Sequence, residues 1–198
     1  EDMGLAAFVA EVEKRSGVKL APARPFEFAT NGDRYGWRRA LDGTWHRTLR
    51  IPAGRVADKA GLPWLTGLRE IAKVLSGDFR VTPNQNVTLA HVPDAERSAL
   101  DALIVRYALD HAEQQSPLRR DALACVALPT CPLAMAEAER YLPALLERVD
   151  DLQAKHGLAG EPLLLRITGC PNGCARPYLA EVGLVGKAPG RYNLHLGG

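Results

Sequence analysis

Long apolar runs and a marked excess of either charge are both missing from this sequence of 198 residues. No stretch approaches the roughly 20 consecutive apolar residues that a membrane-spanning helix needs. The 25 basic and 23 acidic residues leave a formal net charge of +2, which does not point to nucleic acid or a membrane surface as a partner. We see no signal peptide and expect a cytoplasmic protein. With 46% hydrophobic and 24% charged residues, the composition is typical of one ordinary globular domain or two small ones.

The apolar periodicity predicts an α+β chain. We divide it into three segments, of which the first two end at residues 45 and 113. Residues 1–45 read as the end of a preceding domain and a linker, with one helix over Leu5–Arg15 and no regular structure from residue 18 onward. Residues 46–113 run strand, helix, strand, strand, helix, which suits a ferredoxin-like half-unit. We expect strands at 46–51, 79–82 and 87–92, and helices that begin at Pro63 and at Asp94. The inward residues of the first of these helices are expected to be Leu65, Leu68, Ile71, Val74 and Leu75.

Residues 114–198 are predicted to form a second α+β lobe. A long helix is expected from about Pro132 to Lys155, and it should pack across a strongly apolar strand at 163–167. Its core candidates are Leu142, Leu145, Leu146, Val149 and Leu152. A tight loop follows at 168–177. Two further strands are expected at 181–187 and 192–196, joined by a turn that contains Pro189 and Gly190.

Cysteine is scarce, and all four cysteines fall in two pairs. Cys125 and Cys131 form a C-x5-C pair, Cys170 and Cys174 form a C-x3-C pair, and 38 residues lie between the pairs. Each pair follows an apolar, strand-like run, and none of the five histidines lies beside either pair. Buried thiols or disulfides are the weaker interpretations, since every cysteine adjoins turn residues and nothing indicates an oxidising compartment. Zinc stays open, but zinc sites usually have narrower C-x2-C spacings, so the pattern favours an iron–sulfur cluster.

Three stretches of this sequence resemble the sirohaem-dependent sulfite reductase haemoproteins of the nitrite/sulfite reductase family. Residues 124–142 are similar to the first cluster motif, and residues 168–176 are similar to the second. Residues 181–198 resemble the segment that follows in the β subunits of the NADPH-dependent enzymes. The strand–Asn-Gln-Asn–strand element at 79–93 is also similar. The resemblance covers most of this chain but only about the middle third of the family's protein, and Ala175 stands where many relatives have glycine.

The resemblance implies the nitrite/sulfite reductase fold, with a cluster-binding lobe after the ferredoxin-like half-unit. It implies that all four cysteines hold a [4Fe–4S] cluster and that the Cys174 thiolate is shared with the iron of sirohaem. Further cofactor contacts are implied at Thr168, Gly169, Asn172, Asn84, Gln85 and Asn86. The local composition alone would also explain the Asn-Gln-Asn residues, as a polar turn between two strands.

The same resemblance implies a parent enzyme that reduces sulfite to sulfide by six electrons in sulfur assimilation, with an NADPH flavoprotein subunit as electron donor. A ferredoxin-dependent sulfite or nitrite reductase remains an alternative, as does a zinc-stabilised or metal-free structural domain. The family's substrate-binding cations lie in segments absent here, so we expect this chain alone to be inactive and to self-associate through exposed apolar surface. Arg176, Lys187 and Arg191 are candidates for cofactor contacts or for ordinary solvated charges.

Overall fold

The computed structural model describes residues 3–25, 27 and 32–197. Predictions that fall on residues 1–2, 26, 28–31 and 198 lie outside the described residues. The predicted first helix is confirmed as α1 (Leu5–Ser16), and it ends at Gly17, whose φ of 68° is a conformation that glycine adopts readily. This helix belongs to a compact unit that ends at residue 31, and all other elements belong to a second unit.

The second unit begins with six strands and two helices. Their bounds are β1 (Gly36–Arg39), β2 (Trp45–Leu49), β3 (Asp58–Lys59), β4 (Leu62–Pro63), α2 (Trp64–Val74), β5 (Asp78–Val81), β6 (Val87–Val92) and α3 (Arg97–Arg106). Four of the strands form an antiparallel sheet in the order β1-β2-β6-β5, and β3 and β4 form a small hairpin before α2. The predicted order of strand, helix, strand, strand, helix is confirmed, as is the α+β class.

Three details of this half-unit differ from prediction. Residues 36–39 form β1 rather than linker, because their backbone pairs with β2. Leu65 and Val74 are each 38% exposed, whereas Ile71 is buried as predicted and Trp64 is buried with it. Helix α3 begins three residues after Asp94, whose carboxylate accepts a hydrogen bond from the indole of Trp45 (2.9 Å) instead of capping the helix.

The second lobe has a four-stranded sheet in the order β10-β9-β8-β7. Strands β7, β8 and β9 run parallel to one another, and β10 forms an antiparallel hairpin with β9. The bounds are α4 (Pro117–Asp121), β7 (Leu123–Ala124), α5 (Leu142–Lys155), β8 (Leu165–Thr168), β9 (Val182–Ala188) and β10 (Arg191–Leu196). Leu142 and Leu146 of α5 pack with Leu165 and Ile167 of β8, as predicted, in the core of this lobe. The domain boundaries at residues 45 and 113 stay a prediction.

The predicted helix from Pro132 is wrong over its first ten residues, since α5 begins only at Leu142. The backbone N–H groups of Met135 and Ala136 donate to the carbonyl of Gly169 (2.8 and 3.0 Å), and that of Glu139 donates to Cys125 (3.1 Å). These groups are therefore unavailable for helix formation, whatever the propensity of the residues.

The far end of α5 also differs, because Leu152 is 53% exposed rather than part of the core. Among the described residues, no helix has the length and apolar character needed to cross a membrane.

Candidate iron–sulfur site

The two cysteine loops leave the same edge of the second sheet. Strands β7 and β8 are parallel, with Ala124 opposite Ile167, so their carboxyl ends lie side by side. Cys125 directly follows β7, and its N–H donates to the carbonyl of Ile167 (3.2 Å). Cys170 lies two residues beyond the end of β8. The fold therefore places the starts of both loops next to each other.

The thiol sulfur of Cys125 accepts hydrogen bonds from the other loop. The backbone N–H of Gly169 lies 3.2 Å from Cys125 Sγ, and the hydroxyl of Thr168 lies 3.4 Å from it. Thr168 is completely buried. Two donors aimed at one sulfur favour a sulfur that carries negative charge, which is the form in which cysteine binds metal.

Gly169 lets the two loops approach more closely than any other residue would. A Cβ at this position would lie 2.6 Å from the Cβ of Ala127 and 2.7 Å from the carbonyl oxygen of Ala136. Behind it, a Cβ on Gly186 of β9 would lie 2.3 Å from the carbonyl oxygen of Gly169. Distances below about 3 Å are repulsive, so both positions require glycine.

The second cysteine loop is a tight turn. The N–H of Gly173 donates to the carbonyl of Cys170 (3.3 Å), and that of Arg176 donates to Gly173 (2.7 Å). Gly173 and Arg176 both have positive φ, of 67° and 55°. Cys170 is buried, whereas Asn172 and Cys174 are exposed, so the two thiols of this loop differ in access.

All four thiols are free, with Cys125 and Cys131 half-buried. In the described part of the chain, no three side chains of His, Cys, Asp or Glu are arranged to hold a single metal ion. Convergence of all four cysteines on one cluster therefore stays a prediction. The donor set nonetheless fits a [4Fe–4S] group in its chemistry, because four free thiols lie on two loops that meet at Gly169, and one sulfur already accepts N–H and O–H donors.

The Asn-Gln-Asn turn contacts both cysteine loops. Gln85 donates its side-chain N–H to the carbonyl of Ala124 (2.8 Å), the residue before Cys125. Asn84 accepts a hydrogen bond from the guanidinium of Arg176 (2.7 Å), two residues after Cys174. The carbonyl oxygen of the Gln85 side chain is buried and has no hydrogen-bond partner among the described residues. The turn thus joins the half-unit to the cysteine lobe.

Asn86 lies at the centre of a buried polar network that the sequence motifs do not reveal. Its Oδ1 accepts hydrogen bonds from Arg50 Nη1 (3.2 Å) and from the N–H of Ile51 (2.9 Å). Its Nδ2 donates to Asp33 (2.7 Å) and to the hydroxyl of Tyr35 (3.1 Å). All of its side-chain hydrogen-bonding atoms are therefore bound within the protein, and its role in contacting a cofactor stays a prediction.

Arg50 extends this network to the cysteine lobe. It is 2% exposed, and its Nη2 donates to the carbonyl of Ala122 (2.8 Å), immediately before β7. Burial lowers the pKa of Arg50 and raises the pKa of Tyr35 to about 12. Arg50 and Tyr35 could not be found from the sequence, because neither belongs to a motif or a periodic face.

An ion pair makes a further link between the half-unit and the first cysteine loop. The guanidinium of Arg55 contacts both carboxylate oxygens of Glu139, whose own N–H donates to the carbonyl of Cys125. This hydrogen bond from Arg55 holds the pKa of Glu139 below its ordinary value. Arg55 therefore acts on the same loop that carries Cys125 and Cys131.

The other predicted cations differ in their surroundings. Lys187 and Arg191 are exposed on the β9–β10 hairpin. Arg176 donates to Asn84 and to the carbonyl of Pro83 (2.8 Å). Its own carbonyl oxygen accepts a hydrogen bond from Arg166 (3.2 Å), which is 3% exposed. Burial is the main cause of the lowered pKa of Arg166, with a smaller contribution from Arg176.

Comparison with known proteins identifies relatives along the entire chain. Residues 38–107 match the nitrite/sulfite reductase ferredoxin-like half domain. The chain is 64% identical over 198 residues to the sulfite reductase [NADPH] hemoprotein beta-component of Myxococcus xanthus and 58% identical over 199 residues to that of Xylella fastidiosa. All of the chain is matched in both cases, and it spans 35% of the length of each relative. Among solved structures, the Mycobacterium tuberculosis NirA protein matches all of this chain and 37% of its own, with a TM-score of 0.72 and 25% identity.

Proposed function

Because this chain is homologous along its whole length to the beta-components of the sulfite reductase hemoprotein, we propose that it is the cluster-binding part of a sirohaem-dependent sulfite reductase. The observation that carries the proposal is the meeting of the two cysteine loops at Gly169, with Cys125 Sγ accepting donors from the second loop. The chain spans 35% of its relatives, so the reaction as a whole requires segments beyond it.

The four cysteines have distinct proposed roles. Cys125, Cys131 and Cys170 would hold a [4Fe–4S] cluster as thiolates, and Cys174 would be shared between the cluster and the iron of sirohaem. The exposure of Cys174 supports this assignment, since a shared thiolate must be reached by a second group. When bound, the cluster and sirohaem would supply electron transfer, one electron at a time, to sulfite.

Residues around the loops would fix the thiolates and exclude water. The N–H of Gly169 and the hydroxyl of Thr168 would stabilise negative charge on Cys125. Gln85 is the member of the Asn-Gln-Asn turn best suited to a cofactor contact, because its side-chain carbonyl lacks a hydrogen-bond partner among the described residues. Asn84 and Asn86 would support that turn from within, and Asn172 would contact the cofactor from the exposed second loop.

The proposed substrate is sulfite, and the proposed electron donor is the NADPH flavoprotein subunit. The identity of 64% to a relative named as an NADPH-linked sulfite reductase favours this form over ferredoxin-linked or nitrite-reducing enzymes. A cytoplasmic location is part of the same proposal.

Reconstitution tests the cluster directly. The chain is incubated anaerobically with ferrous iron, sulfide and a thiol reductant, and iron and acid-labile sulfide are then measured alongside the EPR spectrum of the dithionite-reduced protein. We expect about four irons and four sulfides per chain. Each single Cys→Ser variant should lose most of this content. Thr130→Ser keeps all four thiols in the same loops and should match the wild type. Stoichiometric zinc in the purified protein, with no cluster formed after its removal, would instead support a zinc-stabilised domain.

We further propose that this chain alone does not sustain sulfite reduction. An oxyanion substrate needs preorganised cations in a pocket closed to water. The chain spans only 35% of its relatives, and the cations of this pocket are proposed to lie in the remainder. The measurement is sulfide release with reduced methyl viologen, comparing the cofactor-loaded chain with a full-length relative. Sustained turnover at a comparable rate would show that the remainder is dispensable.

A further inference from the structure

Thr168 ends β8 with its hydroxyl between two acceptors. Its Oγ1 lies 3.4 Å from Cys125 Sγ and 3.4 Å from the carbonyl oxygen of Cys170. The residue is completely buried, so water does not compete for the proton. A hydroxyl has one proton to donate, and it therefore serves one of these two acceptors at a time.

Neither acceptor depends on Thr168 for its only hydrogen bond. Cys125 Sγ also accepts from the N–H of Gly169 (3.2 Å), and the carbonyl of Cys170 also accepts from the N–H of Gly173 (3.3 Å). Loss of the hydroxyl would leave no other group unpaired. The position is thus poorly explained as a structural requirement, and its distinctive property is a donor that can turn toward the sulfur.

We propose that Thr168 is a positioning residue that sets the reduction potential of the cluster through its hydrogen bond to Cys125. This inference rests on the proposed function. A hydrogen bond to a charged acceptor is stronger than one to a neutral acceptor, and reduction increases the negative charge shared by the cysteine sulfurs. The hydroxyl then favours Cys125 Sγ over the carbonyl of Cys170 and stabilises the reduced state more than the oxidised state.

The redox step is a one-electron reduction in which the hydroxyl keeps its proton. In the experiment the electron comes from dithionite. No covalent bond forms or breaks in the protein, and the only change at Thr168 is the acceptor toward which its O–H points. The effect is therefore one of electrostatic stabilisation, and removal of the hydroxyl should make the reduction potential more negative.

The test is an EPR-monitored redox titration of the reconstituted chain and its variants. The valine side chain of Thr168→Val has nearly the same shape as threonine but lacks the hydroxyl. Thr168→Ala also lacks the hydroxyl and has a smaller side chain. At the wild-type midpoint, both should show a tenfold lower ratio of reduced to oxidised cluster, equivalent to a midpoint about 59 mV more negative. Thr168→Ser retains the hydroxyl and should restore the wild-type value.

Thr48→Val is the matched control. Thr48 lies in β2, is 8% exposed, and shares a 3.0 Å hydrogen bond with the hydroxyl of Thr88. The Thr48→Val substitution removes a buried threonine hydroxyl from a strand of the other sheet, and it should leave the reduction potential of the cluster unchanged.

Each outcome decides between the proposals. Equal potentials in wild type, Thr168→Val and Thr168→Ala would overturn the role of Thr168 while leaving the cluster assignment intact. If only the serine variant and the wild type assemble a cluster, the hydroxyl is needed for assembly, and the potential-setting role is wrong. Absence of a cluster in the wild-type chain would overturn the proposed function itself.

Discussion

Replacement of Asn86 by alanine should strongly destabilise the protein. The side chain is 2% exposed and makes four hydrogen bonds, two as acceptor and two as donor. Some partners retain other bonds: Arg50 still donates to the carbonyls of Ile51 and Ala122, and Tyr35 still donates to Arg120. The N–H of Ile51, in contrast, loses the side-chain acceptor seen in the structure.

The magnitude follows from this inventory. A buried N–H left unpaired costs about 1–3 kcal/mol, and the other three bonds are each worth about 1 kcal/mol, partly recovered by the remaining contacts. We therefore expect the free energy of unfolding to fall by about 3 kcal/mol.

Urea unfolding followed by circular dichroism measures the effect, with Asn193→Ala as the matched control. Asn193 is exposed on β10, so its replacement should change the free energy of unfolding by less than about 0.5 kcal/mol. A loss for Asn86→Ala no larger than that of the control would refute the view that this network joins the half-unit to the cysteine lobe.

Two further predictions concern pH. Arg55→Met should lower the free energy of unfolding near neutral pH but not in acid. The reason is that Arg55 lowers the pKa of Glu139 in the folded state, which stabilises the protein above about pH 4.5. This stabilisation is lost as the pH falls through the folded-state pKa of Glu139. Urea unfolding across this range checks it, with Arg191→Met as an exposed control, and a pH-independent difference would contradict it. Burial raises the pKa of Tyr35 from 10.0 to about 12, so the unfolded chain ionises this tyrosine at lower pH than the folded protein does. Between these two pH values, the free energy of unfolding should therefore fall more steeply in the wild type than in Tyr35→Phe. Parallel slopes in alkaline urea unfolding would show that its ionisation is not linked to folding.

The parts of the fold that were predictable are those in which local pattern and tertiary structure agree. Strand β6 was expected at 87–92 and is found there, since its β-rich run is bounded by the Asn-Gln-Asn turn. Strand β1 was missed because Gly36-Trp-Arg-Arg39 has no clear alternation, and its strand conformation comes from pairing with β2. Residues 132–141 contain good helix formers, but their N–H groups bond to the carbonyls of Gly169 and Cys125, so tertiary contacts override propensity.

The residues of the candidate site also differ in whether the sequence predicts them. Cysteine spacing identified the two loops, because pairs of thiols beside turns are a local signal. Arg50 gave no such signal, because it is a single cation whose partners are 36 and 72 residues away in sequence. Such contacts depend on how sheets and loops pack, and a pattern read along the chain does not contain that information.

The parallel pairing of β7 with β8 also has a consequence for the order of assembly. The strand segments are joined by a crossover that contains α5, so the unfolded chain presents its thiols as two separate, weak chelating pairs. Bringing them together requires closure of a long loop, and its entropic cost is met by the packing of α5 against β8. We therefore expect insertion of the proposed cluster to follow folding, in contrast to small zinc fingers, in which the metal itself drives the chain to fold.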